Sequence, residues 1–297
     1  MAMTDTKAQA ETAPTIAVVG SINLDLVARA PRLPLPGETV TDASLHRYPG
    51  GKGANQALAA RRLGAQVVMH GGIGQDGEAK EALSLLRGAG IDLSGLKVFG
   101  DRPTGIALIM VAETGENQIV VAPGANRAFT AEALALKPAD AVICQMEIPG
   151  ETVERASQTC GDAFFCLNLA PVRPLRPTVI DRADLIVVNE AEAPSVKDTL
   201  KSFKGLLAIT KGSEGAVITR KGQIVAQSTA PQVRAVDTTG SGDVFTAALT
   251  LSLIRGHALD DALAFACAAG ACAARQPGAQ PSFPEAAAVA ELLESVA

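Results

Sequence analysis

Short apolar runs that end in turn residues recur along this chain, with helical patterns between them. The apolar runs occupy residues 15–20, 65–72, 140–145, 163–170, 184–189 and 206–212. The helical patterns occupy residues 54–63, 78–87, 130–136 and 151–159. Runs of this length and composition are typical of strands that are buried on both faces. The alternation therefore predicts an α/β fold in which helices cover both faces of a parallel sheet.

Two segments do not follow this alternation. Residues 23–48 contain the proline-rich stretch PRLPLPGETV, and residues 104–121 have the pattern of two strands around a Thr114-Gly115 turn. We expect both segments to join one small sheet outside the main domain. An exposed sheet with apolar residues has to be covered by a ligand, by the main domain or by a second subunit. A chain of 297 residues otherwise suits one main domain.

The charge balance disfavours nucleic acid as a partner. The chain has 26 Lys and Arg against 31 Asp and Glu, a net charge of −5, and no long basic run. Residues 1–13 are polar and lack the apolar core of a secretion signal, so we expect a flexible tail there. The longest apolar run, residues 262–274, is shorter than the roughly 20 residues that cross a bilayer. We expect this run to be a buried helix and the protein to have no membrane partner.

The cysteines and histidines show no metal-ligand spacing. Five cysteines without a C-x-x-C pair lie mostly in apolar segments, and three histidines are scattered along the chain. Buried free thiols of this kind are typical of a reducing compartment. We therefore expect a cytoplasmic protein without a zinc site or a histidine-based triad.

The stretch AVDTTGSGDVFTAALTLSLI, residues 235–254, has the strongest pattern of a functional site. Residues 233–237 are predicted to form a strand and residues 243–254 a helix, which leaves a glycine-rich turn at 238–242. The backbone N–H groups and the helix dipole at such a helix start bind anions. Asp243 stands beside those amides, where a carboxylate can take the proton from a substrate hydroxyl during phosphoryl transfer. Alternatively, Asp243 only caps the helix.

A second glycine-rich loop, YPGGKGANQALAA, occupies residues 48–60. It lacks the Walker pattern of nucleotide-binding loops. Gly51 and Gly53 would let a polar ligand approach the backbone, and Lys52 and Asn55 project from the loop, with Asn55 offering both a donor and an acceptor. The alternative is an ordinary loop with an exposed lysine.

Polar residues also follow the ends of predicted strands, where ligands sit in open α/β sheets. Asn23 and Asp25 follow the first strand, and Glu147 follows the strand at 140–145. A carboxylate that faces a cavity can accept hydrogen bonds from two sugar hydroxyls. Each of these residues could instead serve an ordinary turn or surface.

Asn189 and Glu192 follow another strand, three positions apart. On one helical turn they would lie close enough to organise water molecules around Mg²⁺. The alternative is a helix that begins with a capping asparagine.

A competing pattern follows the strand at 65–72. Gly72, Gly74 and Gly77 have G-x-G-x-x-G spacing before a predicted helix, and Asp92 lies about 20 residues further on, as in dinucleotide-binding folds. A nicotinamide-dependent oxidoreductase is therefore an alternative of another class. It leaves the stretch at 237–243 unexplained.

Taken together, the motifs resemble the ribokinase-like (PfkB) carbohydrate kinase family over nearly the whole chain after the tail. They are, in order, GSINLD, PGETV, GGKGANQA, GAN at 124–126, QMEIP, NLAP, NEAE, TKGSEG, DTTGSGD and GAQPSFP. The resemblance implies a Rossmann-like three-layer α/β/α main domain within residues 14–297. It also implies a small β-sheet lid, formed by about residues 23–48 and 104–121, through which two copies pair into a homodimer.

The resemblance also implies an activity. We expect ATP-dependent phosphorylation of the 5-hydroxyl of D-ribose, with Mg²⁺ spanning the phosphates and a monovalent cation, K⁺, beside the anion site. A sister kinase that acts on another sugar, a sugar acid or a nucleoside is the alternative within the family.

Residue roles follow by matching the motifs. The sugar would be bound by Asn23, Asp25, Gly51, Lys52, Gly53, Asn55 and Glu147. Asp243 would be the base, and the amides of Gly240, Ser241, Gly242 and Asp243 would hold the γ-phosphoryl group. The nucleotide site would comprise Asn189, Thr210, Lys211, Gly212, Ser213, Glu214 and Gly215. Glu192 would bind Mg²⁺ through water, and K⁺ would contact Asp237, Thr239, Ala273, Gln276, Gly278 and Ser282.

Overall fold

The structure, a computed structural model, describes residues 13–296. The described strands are β1 (Thr15–Val19), β2 (Asn23–Ala30), β3 (Ser44–Gly50), β4 (Gln66–Gly74), β5 (Asp92–Phe99), β6 (Gly105–Ala112), β7 (Asn117–Ala122), β8 (Ala141–Gln145), β9 (Phe164–Asn168), β10 (Leu185–Asn189), β11 (Leu206–Thr210), β12 (Ala216–Arg220) and β13 (Gln223–Ser228). The described α-helices are α1 (Lys52–Arg62), α2 (Gly77–Ala82), α3 (Ser84–Gly88), α4 (Ala125–Ala128), α5 (Gly150–Thr159), α6 (Pro177–Arg182), α7 (Ala193–Val196), α8 (Ser241–Ile254), α9 (Leu259–Ala273) and α10 (Ala286–Val296). The predicted tail at 1–13 falls almost entirely outside the described residues.

A large sheet runs through the main domain in the order β13-β12-β11-β10-β9-β8-β1-β4-β5. Strands β11 to β5 in this order are parallel, and β12 and β13 add an antiparallel hairpin at one edge. Each predicted apolar run supplies one of the parallel strands. The side chains of a strand alternate between its two faces, so a strand in the middle of the domain needs apolar residues on both.

Helices cover both faces of this sheet, as the sequence predicts. In β1, Ile16 and Val18 pack into one hydrophobic core, whereas Ala17 and Val19 pack into the other. Helices α1, α8 and α9 contribute to the first core, and α5 and α6 to the second. The predicted three-layer α/β/α architecture is therefore confirmed.

The second sheet is small and has the order β3-β2-β6-β7. Strands from both segments that interrupt the αβ alternation form it, since β2 pairs in parallel with β6. The hairpin β6-β7 turns at Thr114-Gly115, where Gly115 has a φ of 86°. Leu108 and Val120 are 50% and 63% exposed on this sheet, so part of its apolar surface has no cover within residues 13–296.

Three local predictions are wrong. Residues 233–237 form no strand, because the amides of Val236 and Asp237 bond to the carbonyl of Ala274 instead of to a neighbouring strand. The predicted helix at 130–136 is a single 3-10 turn, Ala131–Ala133. The predicted helix at 78–87 is divided into α2 and α3 at Leu83, whose side chain is fully buried.

Among the described helices, none is both long enough and apolar enough to cross a membrane.

Candidate active site

The loop before α1 is fixed by Glu147. Glu147 Oε2 accepts hydrogen bonds from Ser21 Oγ at 2.6 Å and from the Lys52 amide at 3.1 Å. The Gly53 amide donates to the same Ser21 hydroxyl at 3.3 Å. Gly51, with a φ of 86°, provides the left-handed turn that leads into the helix. The predicted residues Gly51, Lys52, Gly53 and Glu147 therefore form one structural unit.

Asn23 and Asp25 lie on β2 and are buried. Asn23 Oδ1 accepts a hydrogen bond of 2.8 Å from Asn126 Nδ2, and Asn126 Oδ1 accepts one of 2.9 Å from the Ile22 amide. Burial and the negative charges of Glu147 and Asp243 raise the pKa of Asp25 to about 7. Asp25 is therefore a buried carboxyl that titrates near neutral pH.

Helix α8 begins with the predicted glycine-rich turn. Gly240 adopts a left-handed conformation with a φ of 80°, and α8 starts at Ser241. Within residues 13–296 the amides of Gly242 and Asp243 have no hydrogen-bond acceptor, and the buried hydroxyl of Ser241 has no partner. These donors and the helix dipole make the start of α8 a site for an anion.

Asp243 is held by two side-chain amides from α1. Its Oδ2 accepts a hydrogen bond of 2.9 Å from Asn55 Nδ2, and its Oδ1 accepts one of 2.9 Å from Gln56 Nε2. Burial raises the pKa of the Asp243 carboxyl, whereas the charge of Lys52 and the two amides oppose the increase. Asp243 in turn holds the pKa of Lys52 above its usual value. Lys52 is thus the cation that balances the carboxylates of Asp243, Glu147 and Glu192.

Two cavities meet at the turn before α8. One, of about 630 Å³, lies between the small sheet and the main domain and is lined by Asp25, Tyr48, Asp237 and others. The second has a volume of about 210 Å³ and is lined by Ser241 and Gly242 among others. Thr238 borders both cavities. The side chain of Asp243 is 5% exposed and lines neither of them.

The smaller cavity collects most of the residues predicted for the nucleotide. Its lining includes Thr210, Gly212, Ser213, Gly215, Ser241 and Gly242, but not Lys211 or Glu214. A closed turn connects these positions, since the Lys211 amide donates to the Gly215 carbonyl at 2.8 Å. Cys267 and Phe245 add apolar surface to the lining. This cavity therefore combines an apolar wall with the anion site at α8.

Asn189 and Glu192 are paired with each other outside that lining. The Asn189 amide donates to Glu192 Oε2 at 2.9 Å, and the Glu192 amide donates to Asn189 Oδ1 at 2.8 Å. Asn189 is exposed and Glu192 is half-buried. The predicted i, i+3 proximity is present, but these residues lie at the end of β10 and before α7.

The residues predicted for a monovalent cation are only partly brought together. Asp237 Oδ1 accepts hydrogen bonds from the Thr239 amide and hydroxyl, and its Oδ2 accepts one from the Gly278 amide at 3.0 Å. Arg29 of the small sheet approaches the same carboxylate at 3.5 Å. Ser282 bonds to the Ala279 carbonyl, Ala273 is buried in α9 and Gln276 is exposed.

The competing G-x-G-x-x-G pattern is not an open phosphate-binding loop. Gly72 and Gly74 lie inside β4, and a Cβ atom at Gly72 would lie 2.4 Å from the Ala125 carbonyl oxygen. Asp92 lies on β5, where it pairs with Lys137 at 2.9 Å. These glycines therefore serve close packing, and nothing in this region supports a nicotinamide cofactor.

Several buried polar residues of the site lie within the quoted motifs but have no predicted role. They are Ser21, Gln56, Asn126, Gln145, Asn168 and Gln280. Each contacts a predicted residue or a neighbour of one. Polar side chains inside apolar helices and strands were the signal that could have revealed them, because such groups are rarely buried without a partner.

An anion-binding helix start, a buried carboxylate beside it and two adjoining cavities together define a site for phosphoryl transfer in an α/β enzyme. The sequence profile of the pfkB family carbohydrate kinases matches residues 13–286. The chain belongs to this family.

Two ribokinases are similar in sequence to this chain over nearly its whole length. A ribokinase of Bacillus subtilis is 38% identical over 291 residues, which cover 94% of this chain and 99% of the relative. A ribokinase of Haemophilus influenzae is 34% identical over 304 residues, which cover 94% of this chain and 98% of the relative.

Solved structures have the same fold. A ribokinase from Thermotoga maritima matches with a TM-score of 0.85 at 29% identity, over 95% of this chain and 99% of that chain. The structure of Arabidopsis thaliana ribokinase complexed with ribose and ATP matches with a TM-score of 0.83 at 28% identity, over 95% of this chain and 99% of that chain.

Proposed function

We propose that this protein transfers the γ-phosphoryl group of ATP to the 5-hydroxyl of D-ribose, giving D-ribose 5-phosphate and ADP. The observation that carries the proposal is the position of Asp243: a buried carboxylate one residue after the free amide of Gly242, between α1 and the anion site of α8. The ribokinases that resemble the chain over nearly its full length support ribose as the substrate.

The sugar binds in the larger cavity. Of the residues predicted for the sugar, Asp25 alone lines this cavity, where it accepts hydrogen bonds from sugar hydroxyls. Asn23, Lys52 and Asn55 lie outside the lining and would supply the donors that an uncharged polyol also needs. The backbone of Gly51 and Gly53 allows close approach. Glu147 has one oxygen committed to the loop, so its second oxygen remains for the ligand.

Asp243 takes the proton of the attacking hydroxyl. An ionised carboxylate offers about four acceptor positions, and Asn55 and Gln56 occupy two of them. The remaining positions accept the O5 hydroxyl. The O5–H bond breaks as the O5–phosphorus bond forms, and the bond from the γ-phosphorus to the ADP oxygen breaks on the opposite side. Of the amides predicted for this role, Gly240 to Asp243, that of Ser241 donates to the Thr238 carbonyl at 3.1 Å. Charge on the transferred group is stabilised by the free amides of Gly242 and Asp243 and by the Ser241 hydroxyl.

The nucleotide binds in the smaller cavity, whose apolar wall suits a base and whose polar end meets α8. Residues Asn189, Thr210, Lys211, Gly212, Ser213, Glu214 and Gly215 belong to this side of the site. Mg²⁺ would neutralise phosphate oxygens, and the oxygen atoms of Asn189 and Glu192 are the groups that would hold its water molecules. K⁺ would contact the turn of Asp237 and Thr239 together with Ala273, Gln276, Gly278 and Ser282.

The small sheet acts as a lid within a kinase domain of residues 14–297. Its closure over the sugar excludes water and so prevents hydrolysis of ATP. Exposed apolar residues such as Leu108 and Val120 support the pairing of two lids in a homodimer. The proposed location is the cytoplasm, since the five free cysteines include four that are buried.

A coupled assay of ADP release tests the function. The purified protein is supplied with ATP and Mg²⁺, with and without K⁺, and with a panel of pentoses, hexoses, sugar acids and nucleosides. We expect D-ribose to give the highest kcat/KM, K⁺ to increase the rate, and the product to carry phosphate on O5. A higher kcat/KM with a nucleoside or a sugar acid would assign a sister activity instead, and ATP hydrolysis at equal rates without sugar would contradict the role of the lid.

A further inference from the structure

Gln56 follows the predicted sugar ligand Asn55 in α1, and its side chain bonds to Asp243, Asn168 and Gln145. The side chain is 0% exposed, so it contacts no solvent. Its Nε2 lies 2.9 Å from Asp243 Oδ1, while Asn55 holds the other oxygen. Two neighbouring residues of α1 therefore hold the two oxygens of one carboxylate.

Three of the four hydrogen-bonding positions of the Gln56 amide are occupied. One N–H bond is directed to Asp243 Oδ1, and a second contact of 3.1 Å joins the same nitrogen to Asn168 Oδ1. The Oε1 atom accepts a hydrogen bond of 2.5 Å from Gln145 Nε2, and Gln145 is also 0% exposed. A primary amide has two donors and one oxygen with two lone pairs, so both donors and one of the two acceptor positions are in use.

Groups of fixed polarity determine the orientation of this amide. Asn168 Nδ2 donates to the Val187 carbonyl at 3.2 Å, and a carbonyl can only accept. The oxygen of Asn168 must therefore face Gln56, and the ionised carboxylate of Asp243 also only accepts. If the Gln56 amide were rotated by half a turn, its oxygen would face two other oxygens and its nitrogen would face the nitrogen of Gln145. The arrangement has one favourable orientation, with the donors towards Asp243.

We propose that Gln56 is a positioning residue for Asp243, that Asn168 fixes the orientation in which Gln56 donates to the carboxylate, and that the Gln145 hydrogen bond supports it. The inference rests on the proposed role of Asp243 as the base. A base must be ionised and correctly directed when the hydroxyl arrives. A charge-assisted hydrogen bond in a buried site provides both, because it stabilises the ionised form and limits rotation of the carboxylate. The direction of the pKa effect agrees, since burial raises the pKa of Asp243 and the Gln56 hydrogen bond lowers it.

The dependence of kcat on pH, measured with saturating D-ribose and ATP, tests this role. Gln56→Met keeps the length of the side chain and removes its donors. We expect the acid limb of kcat to move upward by about one to two pH units, the scale of one hydrogen bond to a charged group. Within the acid limb kcat falls by the corresponding factor of about ten to a hundred, and KM for D-ribose changes less than about twofold because Gln56 is fully buried and contacts no ligand.

Thr250→Val is the matched control. It also removes a buried hydrogen bond, from Thr250 Oγ1 to the Thr246 carbonyl, but two turns further along α8. Its pH profile should coincide with that of the unmodified protein. Gln145→Met should move the acid limb in the same direction as Gln56→Met and by a smaller amount.

The inference is wrong if the acid limb of the kcat–pH profile lies at the same pH in Gln56→Met and in the unmodified protein. This holds whether kcat of the variant is unchanged or is reduced equally at every pH. If circular dichroism shows that Gln56→Met does not fold, Gln145→Met decides by the same criterion. Asp243→Ala is measured in parallel. Retained turnover in that variant rejects the proposed base itself, whereas an inactive Asp243→Ala with an unshifted Gln56→Met rejects only the role of Gln56.

Discussion

Asn55 on α1 donates a hydrogen bond of 2.9 Å to Asp243 on α8, although 188 positions separate the two residues in the chain. Asn55 is itself oriented by Gln280, whose Nε2 lies 3.2 Å from Asn55 Oδ1. The glycine-rich loop before α1 and the glycine-rich turn before α8 are therefore parts of one buried unit. A change in the first loop should be felt at the carboxylate of the second.

Gly51→Ala tests this connection. Gly51 has a φ of 86°, and a Cβ atom there would lie 2.8 Å from the backbone nitrogen of Asn23. The left-handed conformation and the close contact should together lower the free energy of unfolding by about 2 kcal/mol or more. Because the loop must shift, we expect kcat/KM for the sugar to fall at least about tenfold. Urea unfolding and steady-state kinetics measure the two effects.

Gly256→Ala is the control for backbone strain alone. Gly256 has a φ of 79°, and nothing lies within 4 Å of an added Cβ atom. Gly256→Ala should lower the free energy of unfolding by about 1 kcal/mol and leave kcat/KM within about twofold of that of the unmodified protein. Equal kinetics of the two variants would mean that the loop of Gly51 does not position the site.

Asp25 predicts a pH dependence of sugar binding. Its pKa is raised to about 7 by burial and by Glu147 and Asp243. The ionised form offers both oxygens as strong acceptors to sugar hydroxyls, whereas protonation turns one of them into a donor and weakens the hydrogen bonds. We expect KM for D-ribose to increase as pH falls below about 7, by up to tenfold per pH unit. Asp25→Asn should raise KM by roughly a hundredfold and remove this dependence. A pH dependence of KM that persists in Asp25→Asn would contradict the assignment.

The same carboxyl should reduce stability at high pH. The pKa of Asp25 is about 7 in the folded protein and close to 3.8 when unfolded, so between these values the folded state binds the additional proton. Stability from this group is therefore lost as pH rises from about 4 to about 7. Asp25→Asn should raise the free energy of unfolding by up to about 4 kcal/mol at pH 8 and leave it nearly unchanged at pH 4. Denaturant unfolding at both pH values measures the difference, and an equal effect at both would exclude this origin.

His70 should make the protein sensitive to acid. It is fully buried, neither ring nitrogen has a partner within residues 13–296, and burial followed by the charge of Lys137 lowers its pKa to about 4. The unfolded chain takes up a proton near pH 6.5, so stability is lost as pH falls from about 6.5 to about 4. Over this pH interval the free energy of unfolding of His70→Leu should decrease by up to about 3 kcal/mol less than that of the unmodified protein. Denaturant unfolding at several pH values measures the difference. If the free energy of unfolding of both proteins decreases equally between pH 6.5 and pH 4, His70 is not the origin of the acid sensitivity.

The fold could be predicted to the extent that it depends on local apolar pattern. The runs in β1, β8 and β10 are apolar on both faces, which only a covered parallel sheet accommodates. Residues 233–237, VRAVD, have three apolar residues in five but join neither of the two described sheets. The chain there bonds to the Ala274 carbonyl, a partner that sequence does not reveal.

The site could be predicted where a residue has a special backbone or a conspicuous charge. Gly51, Gly240 and Asp243 are of this kind. Gln56, Gln145 and Asn168 lie in the quoted motifs but received no role, because a polar residue within a helix or at the end of a strand usually faces solvent. Only the packing of α1 against β8, β9 and α8 turns these amides inward, and that packing is a property of the folded chain.

The base role of Asp243 is tested most directly by rapid-quench measurement of ADP formation in Asp243→Asn, with D-ribose and ATP saturating. Asparagine keeps the shape of the side chain and removes its basicity. The account predicts that the rate of the chemical step falls by about 10²–10⁴, while the equilibrium binding of sugar and nucleotide to the folded variant changes little. A folded Asp243→Asn that forms ADP at nearly the unmodified rate would contradict it.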